Sequence, residues 1–476
     1  MGSRPLFRIS SIGTCGRPVF GRAINVDVVQ DITGWAMGAC KIPTGATSTS
    51  DVYFADGEVF DIPIHINDQK DNPDNIDIHI TGSPRFKRKV EIGESRKKST
   101  GQDKYSTVMS RFEGGIAFDQ PYIRITDSTA VTSKINRFRD STKTVYKFTP
   151  VANANLGSGI TRIPAVQLEF YVQAGVGKVK ITNNCTVRGF KQDSDSKTKN
   201  FMITPGSNPQ TYQRYDIYAY HFAAEANKPV NIEDTYVTQQ FGGYQSEPGG
   251  QIYVNGNVVI GGDSVSDPNQ VVKGKITVVA SGNIWVADSI RVDGTHDANG
   301  MPTADNPNIL GLIAQGVIKV VDPGMSGYAS GGTNGYPGPA PKFFYDANGS
   351  GLKHRYMPIG NGTPDSNNRS LTDPLIVEAA LTIGGGGWGA ENVQQTVGST
   401  NYGGRKEITG PTDNLIVRGS ISEAIRGVVG VVGTDGYVKQ YYMDNRLAQG
   451  ILPADIWFSG KYIPAPDGWQ DYRTSN

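Results

Sequence analysis

The stretch DGTHDANG, Asp293 to Gly300, is an oxygen-rich loop in which Asp293, Asp297 and Asn299 surround His296. Carboxylate and amide oxygens presented by a turn are the hard ligands that Ca²⁺ takes. DNPDNID sets Asp71, Asp74 and Asp77 in similar company. Neither stretch has the ligand spacing of an EF-hand loop, and Asp, Asn and Gly are equally the residues of ordinary turns. The expectation is no cofactor, with Asp293, Asp297 and Asn299 as the ligands should Ca²⁺ bind.

Other residue types that do chemistry are present without the patterns that chemistry needs. The five histidines, His65, His79, His221, His296 and His354, form no HExxH and no zinc spacing with cysteine. His65 and His79 sit in strand patterns and read as structural. GGGGWG, Gly384 to Gly389, satisfies GxGxxG, but no apolar helix stripe follows to present the helix N-terminus that a nucleotide phosphate needs. It reads as a flexible loop between repeats. Walker A and the G-x-S-x-G elbow are absent. Glu378 and Glu423 lie in repeat-like segments, where facing carboxylates would suit polysaccharide lyase or hydrolase chemistry, and equally read as outward-facing residues with no partner. Asp444 and Arg446, in YYMDNRL, read as an ion pair closing the C-terminal end. No residue is assigned a catalytic role, and the chain is read as not an enzyme.

Three cysteines, Cys15, Cys40 and Cys185, forbid a fully paired framework. A Cys15–Cys40 bridge would be worth about 3 kcal/mol in the chain-entropy model, and the disulfide state stays open.

The elements that must position these residues are strands. Glycine makes up 59 of 476 residues, tyrosine 22, and charged residues only 19%, a composition of β-structure with many turns. The best amphipathic helix candidate, around Ala223 to Asn227, is too short to matter. A net charge of +1 offers no global field for nucleic acid. The one basic run, RFKRKVEIGESRKK from Arg85 to Lys98, is interrupted by Glu91 and Glu94 and reads as a solvated strand face. No run of 18 apolar residues is present to span a membrane. The start, MGSRPLFRIS, has no signal-peptide h-region. A strand pattern begins almost at once, which suggests that an upstream part is missing or encoded elsewhere.

Four regions follow. Residues 1–130 are an irregular β-rich N-terminal region, with alternation such as Ile76, Ile78 and Ile80 around Asp77 and His79. Residues 131–245 form a middle region holding a hairpin that turns at Ala174–Gly177, between Leu168–Phe170–Val172 and Val179–Ile181. Residues 246–450 are repetitive, and 451–476 are a C-terminal tail.

The repeats decide the fold class. IYVNGNVVI taken alone predicts a hairpin at Asn255–Gly256. Yet TVVASGNIWVA, LIAQGVIKVV and LIVRGSISEAI repeat strand–Gly turn–strand, with central glycines at 256, 282, 316 and 419. LIVEAALTIGG is a less regular fifth member. The spacings 282 − 256 = 26 and 316 − 282 = 34 lie in the solenoid range, and 419 − 316 = 103 is about three times 34. Between them run long polar inserts, 293–308, 323–372 and 392–413, which a solenoid tolerates as loops. The expected class is all-β, with a C-terminal parallel β-helix. Gly256 should bend the chain onward, with Ile252, Val254, Val258 and Ile260 in a stacked interior.

The block from GQIYVNGNVVIGG through GLIAQG, LIVRGSISEAIRGVVG and GYVKQYYMDNRL resembles a bacterial family of pilus-assembly, PilX-like surface proteins. Matching pieces include Val279–Gly282, Leu310–Gly316, Glu378–Leu381, Gly419–Ile421, Arg426–Gly427 and Gly436 through Leu447. Upstream, His65-x-Asn67 followed by Gly82-x-Pro84-x-Phe86 is similar to another family element. The resemblance spans about residues 60–450 and implies a non-catalytic structural or adhesive protein at the cell surface or outside the cell. Its implied partners are pilus or cell-envelope components, surface polysaccharide, or further copies of itself, without nucleic acid. Family members begin with an apolar pilin-like helix, which this sequence lacks. A carbohydrate-active β-helix enzyme and a Ca²⁺-dependent adhesin are the alternatives.

Overall fold

The computed structural model describes residues 6–15, 20–30, 34–39, 42–44, 48–50, 53–67, 74, 76, 78–123, 135–140, 146–150, 161–190, 202–203, 212–213, 216–223, 250–261, 269–286, 289–320, 352–355, 374–384, 386–390, 395–397, 400–403, 414–427, 429–431, 435–449, 451, 453 and 462–475. These residues are strand-rich with almost no helix, and large parallel sheets dominate, so the chain is all-β.

Three walls of parallel strands carry the architecture. The long wall runs, neighbour to neighbour, through Ile116–Ala117, Val90–Ile92, Ile64–Ile66, Trp35–Ala39, Asn414–Ile425, Ala380–Ile383, Ile309–Ala314, Lys275–Ala280, Gln251–Val254 and Tyr146–Phe148. A second wall pairs Asn269–Val272, Ser289–Val292, Leu375–Val377, the first half of Asn414–Ile425, Val438–Met443, Val59–Asp61 and Arg85–Phe86. The third wall holds Asn257–Ile260, Ile284–Val286, Ile318–Val320 and Trp388–Ala390. Successive passes of the chain visit the second, long and third walls in turn, as 269–272, 275–280 and 284–286 do.

Register puts like residues on top of one another. Ile252, Val278, Leu312, Leu381, Ile421, Trp35, Ile64 and Val90 form one column in the long wall, and all are buried. Each such side chain contributes about 1.5–3 kcal/mol by leaving water. A neighbouring column is aromatic at one end. Phe112 stacks on Phe86 at 4.9 Å, Phe86 on Phe60 at 5.1 Å, and Phe60 meets Tyr441 edge-on at 5.8 Å. These separations follow the spacing of paired strands, about 4.8 Å.

The chain enters this stack in its middle. Asn414–Ile425 pairs through Gly419 with Met443, and through Ile421 with Trp35. One level is therefore built from two distant pieces, Val438–Met443 and Trp35–Ala39. From there the N-terminal passes run to one end at Ile116–Ala117, and the next paired strand, Tyr146–Phe148, lies at the other end. Asn67 holds Ile123 by both backbone groups, at 2.9 and 2.7 Å, and Ile123 packs on Ala36. Residues 135–140 form a short helix that buries Ile135 and Phe138.

IYVNGNVVI turns a corner. Gln251–Val254 and Asn257–Ile260 do not pair with each other; each pairs with parallel strands of a different wall. Gly256, Gly282 and Gly316 stack at that corner, joined by N–H···O bonds of 2.8 and 2.9 Å. The amide oxygens of Asn257 and Asn283 each accept a backbone N–H from the next pass, at 2.9 and 3.0 Å. Gly419 does not belong in this column. Leu312, Leu381 and Ile421 are in register, so Gly419 stands at the opposite corner, against the Ala379 carbonyl. The interval from 312 to 421 is two passes, not three, because polar inserts lengthen each pass.

The hairpin of the middle region is present. Thr161–Gln173 and Val176–Phe190 pair antiparallel, with Ala174 and Gly175 at φ of 51° and 77°. The first of these strands also continues the third wall, parallel to Asn257–Ile260. Ala223 ends a strand, Asp216–Ala223, and the rest of the helix candidate lies outside the described residues. Leu6–Cys15, Phe20–Gln30 and Tyr462–Ser475 make a separate antiparallel sheet from both ends of the sequence.

Candidate functional site

On the second wall, two segments stand opposite one another and enclose a cleft. One follows Val438–Met443: Asp444 caps a four-residue helix, Asn445–Ala448, by accepting from the Arg446 N–H at 3.0 Å. The Arg446 guanidinium forks onto the same carboxylate, with Nη2 at 2.7 Å and Nε at 3.0 Å. Its Nη1 donates to the carbonyls of Asn306 and Asn308 at 2.6 and 2.8 Å. Asp444 and Arg446 are both buried, so this pair does more than close an end: it fastens the opposite wall.

That wall is the insert 293–308. Asn306 Nδ2 donates to the Asp293 carbonyl and Asn308 Nδ2 to the same oxygen, at 2.8 and 2.9 Å. Buried Glu378 holds the insert from below. It accepts from Arg418 Nη1 at 2.9 Å and from the Val292 N–H at 2.8 Å, and faces His296 Nε2 at 3.0 Å. His296 Nδ1 faces the Gly294 carbonyl at 3.0 Å, so both ring nitrogens stand beside oxygens. Arg418 Nη2 reaches on to the Asn299 carbonyl at 3.1 Å.

The cleft measures about 440 Å³ and is lined by Asp61, Arg88, Asp297, Asn299, Tyr442 and Gln449, with Met301, Pro302 and Met443 among its apolar members. Its guanidinium groups are paired. Arg88 Nε donates to Asp61 at 2.6 Å, and its Nη1 to the Asn445 side-chain oxygen at 3.1 Å. The Tyr442 hydroxyl donates to Gln440 at 3.3 Å, and burial raises its pKa above the ordinary phenol value.

The residues named from sequence fall as follows. Asp293 pairs with Lys273 at 2.8 Å, and Asp297 accepts the N–H groups of Asn299 and Met301 at 2.8 and 2.9 Å. Asp74 receives Ser99 through its N–H and hydroxyl, while Asp71 and Asp77 lie outside the described residues. His65, buried, faces Glu91 at 3.3 Å and Asn67 at 3.1 Å on the long wall, and His79 packs against Tyr53. His221 and His354 are register partners on adjacent strands. The basic run is laced with carboxylates, Arg85 to Glu113 and Arg96 to Asp103 among them. Cys40 lies outside the described residues, as do the side chains of Cys15 and Cys185. Gly387–Ala390 is a packed corner and strand, with Gly387 against Gly427 and Trp388 buried, and not a flexible loop.

Glu378 and Glu423 serve separate networks. Glu423 is interior, accepting from Trp35 Nε1 at 2.7 Å and the Trp388 N–H at 2.8 Å. Burial pushes its carboxyl up to about 7. The Arg426 guanidinium lies 5.6 Å from the Trp35 ring and 5.1 Å from that of Phe54. Buried Lys439 pairs with buried Glu58 beside them. Sequence reading misses this cluster, and also Asp61, Arg88 and Tyr442 of the cleft. The signal for it was a pair of charged residues, Glu423 and Arg426, close together at the end of a strand-like repeat.

No protein-family model and no curated protein sequence matches the chain. Among solved structures it is similar to the competence-associated pilin ComZ from Thermus thermophilus. Identity is 10% over 99% of this chain and 82% of that one, at a TM-score of 0.32. A likeness of that size fixes neither fold nor function. Among the described residues, no helix is long and apolar enough to cross a membrane.

Proposed function

We propose that the chain is a non-catalytic structural or adhesive protein of the bacterial surface, associated with a type IV pilus or the envelope, and that its three walls are those of a parallel β-helix. One observation carries the mechanical part: a single parallel ladder runs through strands drawn from residues 35–117, 146–148 and 251–443. Such a ladder resists bending and extension along its whole length, because every level is hydrogen-bonded to the next. The polar inserts then supply contact surface. The pilus association rests on the resemblance of residues 60–450 to PilX-like proteins. Fractionation of the native cells tests it, with recovery in the envelope or sheared surface fraction expected; recovery in the cytosol would sink the reading. Electron micrographs of the purified protein should show a short rod.

A second reading, a carbohydrate-active enzyme on the same fold, is favoured by the cleft, where Asp61, Asp297 and Asp444 meet Arg88 and Arg446. Against turnover stands the occupancy of these carboxylates: two face guanidinium groups and the third caps backbone N–H groups. A screen of acidic and neutral polysaccharides for new reducing ends decides between the two.

A further inference from the structure

We infer that the cleft on the second wall is a preformed binding subsite for a neutral oligosaccharide, held without cleavage. The inference rests on the surface-protein reading only for where a glycan would be met.

Preformation comes first. The two walls belong to segments far apart in sequence, 297–304 and 442–449, and their separation is fixed by buried charge. Arg446 binds the Asn306 and Asn308 carbonyls while forked onto Asp444, and Arg418 binds the Asn299 carbonyl while held by Glu378. A site whose walls are already ordered loses little entropy when a ligand enters.

The lining then selects the ligand. At about 440 Å³ the cleft falls in the size range of small-ligand sites. Both of its guanidinium groups are taken, Arg88 by Asp61 and Arg446 by Asp444, while the third carboxylate, Asp297, accepts backbone N–H groups, so the cleft holds no cation in reserve for an anionic ligand. Three of the five lining residues exposed at the mouth are amides, Asn299, Asn445 and Gln449, beside Asp297 and Ala304. Deeper in, the half-buried ring of Tyr442 lies with Met301, Pro302 and Met443. Planar amides beside an aromatic face suit a ligand with vicinal hydroxyls on its edge and C–H groups on its face. A neutral sugar has both. A uronate or phosphate would add a charge that nothing in the cleft awaits.

The test is a microarray of neutral and acidic oligosaccharides probed with the full chain, followed by calorimetry on any hit. Binding of a neutral oligosaccharide is expected. Ala304→Trp, placed on the exposed rim, should block it, and Tyr442→Ala should weaken it at least tenfold while Tyr442→Phe retains it. Thermal melts of each variant separate lost folding from lost binding, and unchanged reducing ends after incubation separate binding from turnover. Binding only of acidic glycans, binding indifferent to Ala304→Trp in a folded variant, or no binding across the array overturns the inference. Glycan binding by a protein that fractionates in the cytosol would instead overturn the surface reading and leave the subsite standing.

Discussion

Trp35 Nε1 donates to Glu423 Oε1 at 2.7 Å, joining residues 388 positions apart at the level where the N-terminal passes meet the C-terminal ones. The bond is buried at both ends, and the same ring packs on Tyr441 at 5.0 Å and Phe60 at 5.6 Å. Trp35→Phe keeps most of the packing but removes a donor from a buried carboxylate, so a loss of about 2–3 kcal/mol is expected. In a double-mutant cycle with Glu423→Leu, which removes the acceptor, denaturant unfolding should show a coupling of about 1–2 kcal/mol. Additive losses would mean the bond is not made.

Glu423 also sets a pH dependence. Burial raises its carboxyl from the ordinary 4.5 to about 7 in the folded chain. Between those values the folded state holds a proton that the unfolded state has released, so stability falls as pH rises through this window and levels above it. The fall is roughly 3 kcal/mol by the worth of a pKa unit. Glu423→Gln cannot titrate. The stability of wild type relative to this variant should therefore drop between pH 5 and pH 8, measured by urea unfolding at each pH. Parallel profiles for the two proteins would refute the assignment.

The corner glycines make a sharper steric case. An added Cβ on Gly282 would drive into the Asn257 amide oxygen, and one on Gly316 into that of Asn283. Both oxygens already accept the N–H groups that link one pass to the next. Gly282→Ala should cost about 3 kcal/mol, since the ladder must shift to admit a methyl group. Gly101, at φ of 83° with nothing near it, gives the contrast: its alanine variant carries only backbone strain, about 1–2 kcal/mol. Thermal melts of the two variants side by side would check the ordering.

These corners also show what the sequence made legible. Asn-Gly at 255–256 signals a bend whichever way the chain leaves it, and only recurrence at 282 and 316 tells a corner from a hairpin. Recurrence misleads at Gly419, because an insert of arbitrary length hides which corner of a pass a glycine occupies. Alternating apolar residues announced the strands of 35–117, but not that they stack on 414–443, since pairing between distant segments leaves no local pattern. The cleft stayed hidden for the same reason. Asp61, Arg88 and Tyr442 look like ordinary strand-face polars until the register of Val438–Met443 on Val59–Asp61 brings them together.

Arg446 should be irreplaceable by lysine. Its planar fork serves Asp444 and two carbonyls at once, a geometry that a single ammonium cannot reproduce. Arg446→Lys is expected to cost about 2–4 kcal/mol, because it leaves buried acceptors without donors. Hydrogen exchange should quicken first in 293–308, where the insert loses its anchor. Loss spread evenly over the whole chain would indicate general destabilisation instead.

The last expectation concerns independence of the N-terminal region. Trp35–Ala39 and Val59–Asp61 find their neighbours on one side in Asn414–Ile425 and Val438–Met443. A fragment of residues 1–130 would expose those strand edges, and with them the inner faces of Trp35 and Phe60, both buried in the whole chain. Unpaired parallel edges of that kind seek other chains. The fragment alone should therefore show little protected amide and aggregate, whereas co-expression with residues 246–476 should recover a soluble complex carrying the Trp35–Glu423 bond. A fragment that folds alone to a cooperative melt would mean that the level shared by the two chain halves is a docking surface between domains, not the middle of one structure.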